Sequence, residues 1–229
     1  MDQIIKTKPI LFSAEMVQAI LEGRKTQTRR TKGLEKVNEN PDGHTFNSFS
    51  IDNKNATFKR LEGMWQGVDV PYQSGDILWV RERFCIVDSD MKHKQTGMPY
   101  AYYAGTDSEG LEVAKEYGFK WKPSIHMPKE AARIFLKVIN IRVERLFQIT
   151  AKDAIAEGVE CKIVENMKEY RAYLVKDSEH VFGKNSYPDT PECSFLELWE
   201  KINGNESVNS NPWVWVIEFE RVEKPENFN

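Results

Sequence analysis

The segment Trp213–Val222 constrains the fold most strongly, because its largest apolar residues recur at every second position. In an extended strand, Trp213, Trp215, Ile217 and Phe219 all point to one face. Burying these four side chains removes much apolar surface from water, which favours a face packed against a core. The segment therefore predicts a closing strand within a sheet that carries a hydrophobic core.

Two more apolar segments, at about residues 77–82 and 133–145, are typical of strands, and we expect them to share one curved sheet with the closing strand. Residues 33–73 and 86–130 are interpreted as insertions outside that sheet, because they are polar or rich in turn signals. The predicted fold class is α+β. We expect one domain over residues 1–229, with helices flanking a small β-barrel.

Capping residues and apolar spacing predict the first two principal helices. One covers about residues 14–22, with Ser13 as its N-cap and Gly23 directly after its end. The other begins after Thr150, because Thr150 and Asp153 have the spacing of a capping box.

Two further helices are predicted in the second half of the chain. The charged segment 164–176 is interpreted as one helix. Ser194 and Glu197 also have capping-box spacing, and they predict a helix over residues 195–203.

The composition indicates a water-soluble globular protein, since 40% of the residues are hydrophobic and 29% are charged. No apolar run approaches the roughly 20 residues that a membrane helix needs, and the first residues lack the apolar stretch of a cleavable signal. We therefore expect a cytoplasmic protein with no membrane partner. The three cysteines and four histidines lack metal-ligand spacing, so we predict reduced thiols, no metal and no cofactor.

The charge pattern favours a small or single-stranded nucleic-acid partner. A protein that wraps a long duplex neutralises many phosphates and is usually basic, whereas the formal net charge here is -3. Positive charge is concentrated in one short segment that contains Arg24, Lys25, Arg29, Arg30 and Lys32. A nucleoside or a short single-stranded RNA fits that pattern best.

The segment Gly23-Arg-Lys-Thr-Gln-Thr-Arg-Arg30, directly after a predicted helix, resembles the GxKxxTxR signature of the ASCH family. The Gly75-Asp76 turn and the Trp-rich closing strand agree with that resemblance. Three further segments are similar to those of an ASCH subgroup that phages and prophages often carry, namely Trp79-Val-Arg-Glu82, Ile125-His-Met-Pro128 and Asn211-Pro-Trp-Val-Trp215.

The resemblance implies a PUA-like β-barrel with a cleft for RNA or a nucleoside. The bacterial 4-acetylcytidine amidohydrolases belong to the same family, and their catalytic lysine, threonine and glutamate match Lys25, Thr28 and Glu157. This chain is about twice as long as those enzymes, so its insertions are expected to reshape the pocket or replace the chemistry. Fold and function therefore need separate arguments.

Amide hydrolysis on a base needs a nucleophile, a proton acceptor and a proton donor. Thr28 offers the hydroxyl, Lys25 the base and Glu157 the acid. The alternative is that Lys25 and Thr28 are ordinary residues at a strand start. On a straight strand these two would point to opposite faces, unless Lys25 still lies in the turn that Gly23 begins.

Glu157 stands in the last predicted turn before Gly158, where the helix dipole disfavours a carboxylate. Stability alone favours Lys or Arg at such a position, so this choice indicates function. The plainer interpretation is an exposed glutamate with a small energetic cost.

Five other residues are candidate ligand contacts. Arg24, Arg29 and Arg30 are candidates for binding phosphate or stacking on a base, and the alternative is a solvated charge run. His126 and Trp121 are candidates for touching a substrate, and a loop histidine bound to the backbone is the alternative for His126.

Three functions follow from these patterns. The first is an RNA- or nucleoside-binding module with a base-sized cleft. The second is a metal-independent amidohydrolase that deacylates an N-acylated cytidine-type nucleoside. The third is a phage-derived accessory module for protein interactions, and a cleft filled by the chain's own side chains would favour it.

Overall fold

The structure, a computed structural model, describes residues 7–92, 99–103, 120–164, 167–171, 190–226 and positions 112, 115, 116, 118, 173 and 228. Its strands are Thr7–Leu11 (β1), Gln27–Arg30 (β2), His44–Phe49 (β3), Asn55–Arg60 (β4), Trp65–Asp69 (β5), Ile77–Arg81 (β6), Phe84–Lys92 (β7), Pro99–Tyr103 (β8), Phe135–Arg145 (β9), Cys161–Val164 (β10), Met167–Tyr170 (β11) and Trp213–Val222 (β12). Its α-helices are Ala14–Leu21 (α1), Glu35–Asn38 (α2), Ala151–Ala156 (α3), Pro191–Asn203 (α4) and Asn205–Asn209 (α5). The chain is therefore a mixed α+β protein, and no helix in the described ranges is long and apolar enough to cross a membrane.

The largest sheet has the strand order β1-β6-β9-β12-β2. The prediction that the segments near 77, 133–145 and 213–222 share one sheet is confirmed, because β6, β9 and β12 are neighbours in it. Strands β1 and β6 pair in parallel, whereas β6 pairs antiparallel with β9, and β12 with β2. The last pairing sets Ile217 opposite Thr28 and Trp215 opposite Arg30.

The chain divides into two compact units, each built from separated segments. Unit 1 comprises Met1–Gly23, Gly75–Val138 and Phe219–Asn229, and unit 2 comprises Arg24–Ser74 and Ile139–Glu218. The single domain over residues 1–229 remains a prediction.

Unit 1 has its own aromatic core, which includes Trp79, Phe135 and Phe228. The ring of Phe228 meets that of Phe135 edge-on, with 4.7 Å between their centroids. Buried aromatic pairs in this geometry add stabilisation beyond their buried area.

Two of the subgroup-like segments meet inside unit 1. Arg81 donates to the main-chain oxygens of Ile125 and Met127, and the main-chain N–H of Glu82 points at the sulfur of Met127. The buried Glu82 carboxylate accepts two hydrogen bonds of 2.9 Å from the Arg133 guanidinium. These contacts give both segments a structural role.

Both faces of the first part of the closing strand β12 are packed within unit 2. Trp213 and Trp215 alternate with Val214 and Val216 in β12, and all four are buried. Val214 and Val216 join a core with Phe195 and Trp199 of α4 and with Leu146. The alternating large residues of the sequence identify only one of these two buried faces.

Helices α1 and α3 form as predicted, because their caps work locally. The Ser13 hydroxyl accepts from the Met16 N–H at 3.3 Å, and the Thr150 hydroxyl accepts from the Asp153 N–H at 3.2 Å. Gly23 follows α1 with φ +74°, a left-handed conformation that suits a residue without a Cβ.

Helix α4 begins earlier than predicted, at Pro191, and the predicted cap at Ser194 is wrong. Thr190 is the N-cap, and its hydroxyl accepts from the Cys193 N–H at 3.2 Å. Pro191 fits the first turn because it has no N–H to satisfy there. Ser194 is buried inside the helix, where its hydroxyl donates to the main-chain oxygen of Arg171 at 2.6 Å.

The helix predicted over 164–176 is wrong in its first part, where β10 and β11 form an antiparallel hairpin. The register sets Lys162 opposite Glu169 and Ile163 opposite Lys168. Tyr170 then packs against the core of unit 2. Tertiary packing therefore overrides a charged composition that favours a helix.

The insertion predicted at 33–73 contains a regular substructure. Strands β3, β4 and β5 form an antiparallel sheet of their own, and none of them belongs to the five-stranded sheet. In the insertion predicted at 86–130, β7 and β8 pair as a separate two-stranded sheet that begins at Phe84.

The cap of α4 yields a stability prediction. Replacing Thr190 with Ala removes the acceptor for the Cys193 N–H and should lower the free energy of unfolding by about 1 kcal/mol. Urea denaturation followed by circular dichroism measures this change. Thr190→Ser keeps the hydroxyl and should restore most of the loss, and equal destabilisation by both variants would contradict the capping role.

Candidate functional site

A main-chain bridge brings two distant candidates together in unit 2. Lys25 and Glu157 form an isolated antiparallel β-bridge, next to which the Thr26 N–H donates to the main-chain oxygen of Ala156 at 2.8 Å. Glu157 is the C-cap residue of α3, and Gly158 follows it with φ +91°. The end of α3 is thereby fixed against the segment that leads into β2.

Lys25 donates to two oxygens of the same residue. Its Nζ lies 2.8 Å from the main-chain oxygen of Glu157 and 2.9 Å from the carboxylate Oε2. Both side chains are almost entirely buried, at 1% and 4% exposure. Burial lowers the pKa of Lys25, the charge and hydrogen bond of Glu157 oppose that shift, and Arg30 and Arg29 add to it.

Arg29 supplies the second partner of the Glu157 carboxylate. Its Nη1 lies 3.1 Å from Oε1 of Glu157, and its Nη2 lies 3.1 Å from Glu144 and 3.5 Å from Asp153. We call Lys25, Arg29, Glu144, Asp153 and Glu157 the charge cluster. The guanidinium of Arg29 is fully buried, so its charge is directed at carboxylates of the chain itself.

A second arginine extends the charge cluster towards the surface. Arg142 of β9 contacts Glu144 and Glu218, and its Nη2 lies 2.7 Å from Asp153. Burial disfavours the charge of Arg142, but these carboxylates outweigh it and raise the pKa of the guanidinium. With Lys25 and Arg29, it supplies the positive charges that balance the carboxylates of the cluster.

Thr28 is buried in β2, where it is paired with Ile217 of β12. It precedes Arg29 directly, and successive side chains of a strand point to opposite faces. The carboxylate of Glu157 therefore contacts the face of β2 that Thr28 does not occupy. The structure brings Lys25, Arg29 and Glu157 together by direct contacts.

The two remaining arginines lie beside the charge cluster. Arg24 donates through Nη1 to the main-chain oxygen of Gly158 at 3.0 Å. Burial lowers the pKa of Arg30, and the charges of Glu157 and Tyr72 only partly offset that effect. Arg30 thus acts electrostatically on both Lys25 and Glu157.

His126 and Trp121 belong to unit 1. His126 is exposed at the end of a short 3₁₀ turn, and its main-chain N–H donates to the oxygen of Pro123 at 3.0 Å. Trp121 is half-buried, with the Arg83 guanidinium 5.7 Å from its ring centroid.

Sequence reasoning missed Glu144, Asp153, Arg142 and Tyr72 as neighbours of the candidate residues. Asp153 had been explained by its capping box alone, although its carboxylate also binds Arg142. Arg142 and Glu144 did leave a signal, because both are charged residues that alternate with apolar ones in a long predicted strand. Where the polar face of such a strand is covered, its charges need charged or hydrogen-bonding partners.

In the ranges that the structure describes, no three His, Cys, Asp or Glu side chains are grouped so as to hold a metal ion. No family model, curated protein or solved structure matches this chain.

The lowered pKa of Lys25 predicts a pH dependence of stability. The folded protein releases the proton of this lysine at lower pH than the unfolded chain, whose ordinary value is 10.5. Between the two values the unfolded state binds more protons, so Lys25 makes the free energy of unfolding rise with pH.

Comparison of the wild type with Lys25→Met by urea denaturation, from about pH 8 to pH 10, isolates that slope. The difference in unfolding free energy should shift in favour of the wild type as the pH rises. Lys152→Met, at an exposed lysine of α3, is the matched control and should show no such slope. If the difference in unfolding free energy between the wild type and Lys25→Met does not change with pH, the lowered pKa of Lys25 would be contradicted.

Proposed function

We propose that this chain is an ASCH-type module with a PUA-like barrel that binds a nucleoside or a short single-stranded RNA through Lys25 and Glu157. The observation that carries the proposal is the buried Lys25–Glu157 pair, with 2.9 Å between Nζ and Oε2. Its partners are 132 residues apart in the chain.

Stability gives little reason to keep such a pair. Removing two charges from water costs several kcal/mol for each ion, roughly, and a well-packed apolar pair is often neutral or better. The charge cluster adds Arg29 to the same carboxylate, which raises the number of desolvated charges. Groups with shifted pKa values and specific charged partners are concentrated at functional sites, and this supports a ligand role for Lys25 and Glu157.

The pair offers a donor beside an acceptor, which complements the edge of a nucleobase. The ammonium of Lys25 would donate to a ring nitrogen or carbonyl of the base. The carboxylate of Glu157 would accept from an exocyclic amine, as acidic side chains do from N4 of cytosine. Arg29 holds the carboxylate from its other side, at Oε1, and so fixes its direction.

Binding would exchange partners within the site. Lys25 makes one of its hydrogen bonds to the main-chain oxygen of Glu157, and a base could take over that bond while the carboxylate contact persists. Arg30, whose charge already acts on Lys25 and Glu157, is the candidate for a phosphate or for stacking on the base.

The test compares cytidine with N4,N4-dimethylcytidine, which lacks both exocyclic N–H groups. Calorimetric titration of the wild type should show about tenfold weaker binding of the methylated nucleoside, because a hydrogen bond to a charged acceptor is lost. Glu157→Gln keeps a neutral carbonyl acceptor but loses the charge, so it should reduce this discrimination, which a general loss of stability cannot imitate. Glu39→Gln, at an exposed glutamate, should keep it.

Equal discrimination by Glu157→Gln and the wild type would contradict the assignment of Glu157. Lys25, Arg29 and Glu157 already fill the site with contacts to one another, which is the feature that favours the protein-interaction module. No binding of nucleosides or short RNA at low salt would decide for that module.

A second candidate function is hydrolysis of an N-acylated cytidine, and the lowered pKa of Lys25 favours it. A neutral amine is a base, and burial beside Arg29 and Arg30 moves Lys25 in that direction. After a rearrangement of β2 that turns Thr28 to this face, its hydroxyl would add to the amide carbon while neutral Lys25 takes the hydroxyl proton. Lys25 would pass that proton through the Glu157 carboxylate to the departing cytidine amine as the C–N bond breaks, which leaves an acyl ester on Thr28. Water completes the release of the acid.

The hydrolase hypothesis predicts that the protein converts N4-acetylcytidine to cytidine and acetate. Mass-resolved chromatography of the products measures this turnover. Lys25→Met and Thr28→Val should each lose most of the turnover, and a double variant should be little worse than the poorer single variant, because residues that act as one unit are non-additive. Lys152→Met should retain full turnover. Binding of cytidine without any turnover would leave the binding module and eliminate the hydrolase.

A further inference from the structure

The sheet of β3, β4 and β5 exposes one face that its packing does not explain. Residues of these strands alternate between buried and accessible positions, so one face is covered and the other is open. We call the open side the outer face, and it comprises Thr45, Ser48, Asn55, Thr57, Lys59, Trp65, Gly67 and Asp69; Asn47 lies at the register shift between Phe46 and Ser48.

The opposite face is already satisfied by the core of unit 2. Phe58 packs edge-on against Trp213, with ring centroids 5.3 Å apart, and Phe49 lies 6.4 Å from Trp215. Ala56, Phe58 and Val68 are buried. The outer face is therefore a true surface of the folded unit.

Trp65 dominates the outer face, with 58% of its surface exposed. Lys59 stands directly opposite it on β4, and its Nζ lies 6.0 Å from the indole centroid. Exposing an indole beside a cation forgoes apolar burial of a large side chain. A tryptophan suits a strand and its contact with Lys59 adds a little stability at an exposed site, but most of the indole surface is left open to a ligand.

The neighbouring row leaves room beside the indole. Gly67 follows Trp65 on the same face, and a Cβ added there would meet no atom within 4 Å. Thr57, its cross-strand partner, carries a short hydroxyl side chain. A flat ligand stacked on Trp65 would therefore meet no side chain at Gly67 and would have a hydrogen-bonding group beside it at Thr57.

We propose that the outer face is a stacking platform for single-stranded nucleic acid, with a base on Trp65 and the adjacent phosphate at Lys59. Single-strand binders combine aromatic side chains with basic groups in this way. The inference rests on the proposed function and deepens it, because it makes the preferred ligand a strand rather than a lone nucleoside.

Lys59 is the basic residue of the outer face, and its cross-strand neighbours Thr45 and Trp65 are not acidic. Glu62 is exposed in the adjacent β4–β5 turn, and Asp69 lies at the far end of β5. A phosphate would therefore be held at Lys59 itself, next to Trp65, and not along the whole face.

A protein partner would instead select the apolar tip of the β4–β5 hairpin. Leu61 and Met64 are exposed there, at 77% and 55%. They lie in the turn, however, whereas the outer face next to it is formed, apart from Trp65, by threonines, serine, asparagine, lysine, glycine and aspartate. Its polar composition fits bases and phosphates better than an apolar protein surface.

The experiment measures fluorescence anisotropy of a labelled ten-nucleotide single-stranded RNA with the full-length chain. Trp65→Ala should weaken binding about tenfold, because stacking on one base is lost, and Trp65→Phe should recover part of the affinity. Lys59→Ala should also reduce the salt dependence by about one phosphate contact. Lys54→Ala, in the same sheet but in the opposite turn, is the matched control and should bind as the wild type does.

A parallel titration with cytidine separates this inference from the proposed function. Trp65→Ala should bind cytidine as the wild type does, whereas Glu157→Gln should not. Unchanged RNA affinity in Trp65→Ala, or equal losses in Trp65→Ala and Lys54→Ala, would overturn the platform while leaving the nucleoside site intact. If only the double variant Leu61→Ser/Met64→Ser lost RNA binding, the hairpin tip would replace the outer face and the proposal would also fail.

Discussion

The contact of the Glu157 carboxylate with both Lys25 and Arg29 connects α3, β2 and β9 of unit 2. The carboxylate ends α3, Lys25 leads into β2, and Arg29 lies within that strand and reaches Glu144 on β9. Each charge is desolvated, so none can lose its partner cheaply. The cluster thereby fixes where α3 ends relative to β2, and any ligand that enters must replace contacts that the chain already makes.

This arrangement gives the two faces of β2 different roles. Arg29 and Gln27 face α3, where Gln27 donates to the main-chain oxygen of Asp153 at 3.0 Å. Thr28 lies on the alternate face, between residues whose side chains bind the helix. A site that uses only Lys25 and Glu157 needs no rearrangement of this strand. Catalysis through the Thr28 hydroxyl would need one, and for that reason we propose binding before hydrolysis.

The outer face shows that an insertion can carry surface chemistry. Strands β3 to β5 pack the buried Phe58 and the half-buried Phe49 against the tryptophans of β12 and leave Trp65 exposed to solvent. Because side chains alternate between the two faces of a strand, one face of the small sheet packs on the core and the other carries Trp65. If both sites bind as proposed, one unit would hold a base at Lys25 and Glu157 and a stacked base on Trp65.

The sequence by itself determined features that depend on neighbours in the chain. Ser13 and Thr150 cap α1 and α3 as predicted, because a cap needs only an N–H two or three residues away. The alternating residues of β12 predicted its strand and one buried face. Tertiary structure decided what depends on partners distant in sequence: the packing of Tyr170 of the β10–β11 pair on the core of unit 2, and the cluster around Arg29. The start of α4 at Pro191 is set locally by its Thr190 cap, although the sequence pattern had favoured Ser194. Ion pairs across more than 100 residues leave no local pattern, since only the folded chain brings Glu157 within 3.1 Å of Arg29.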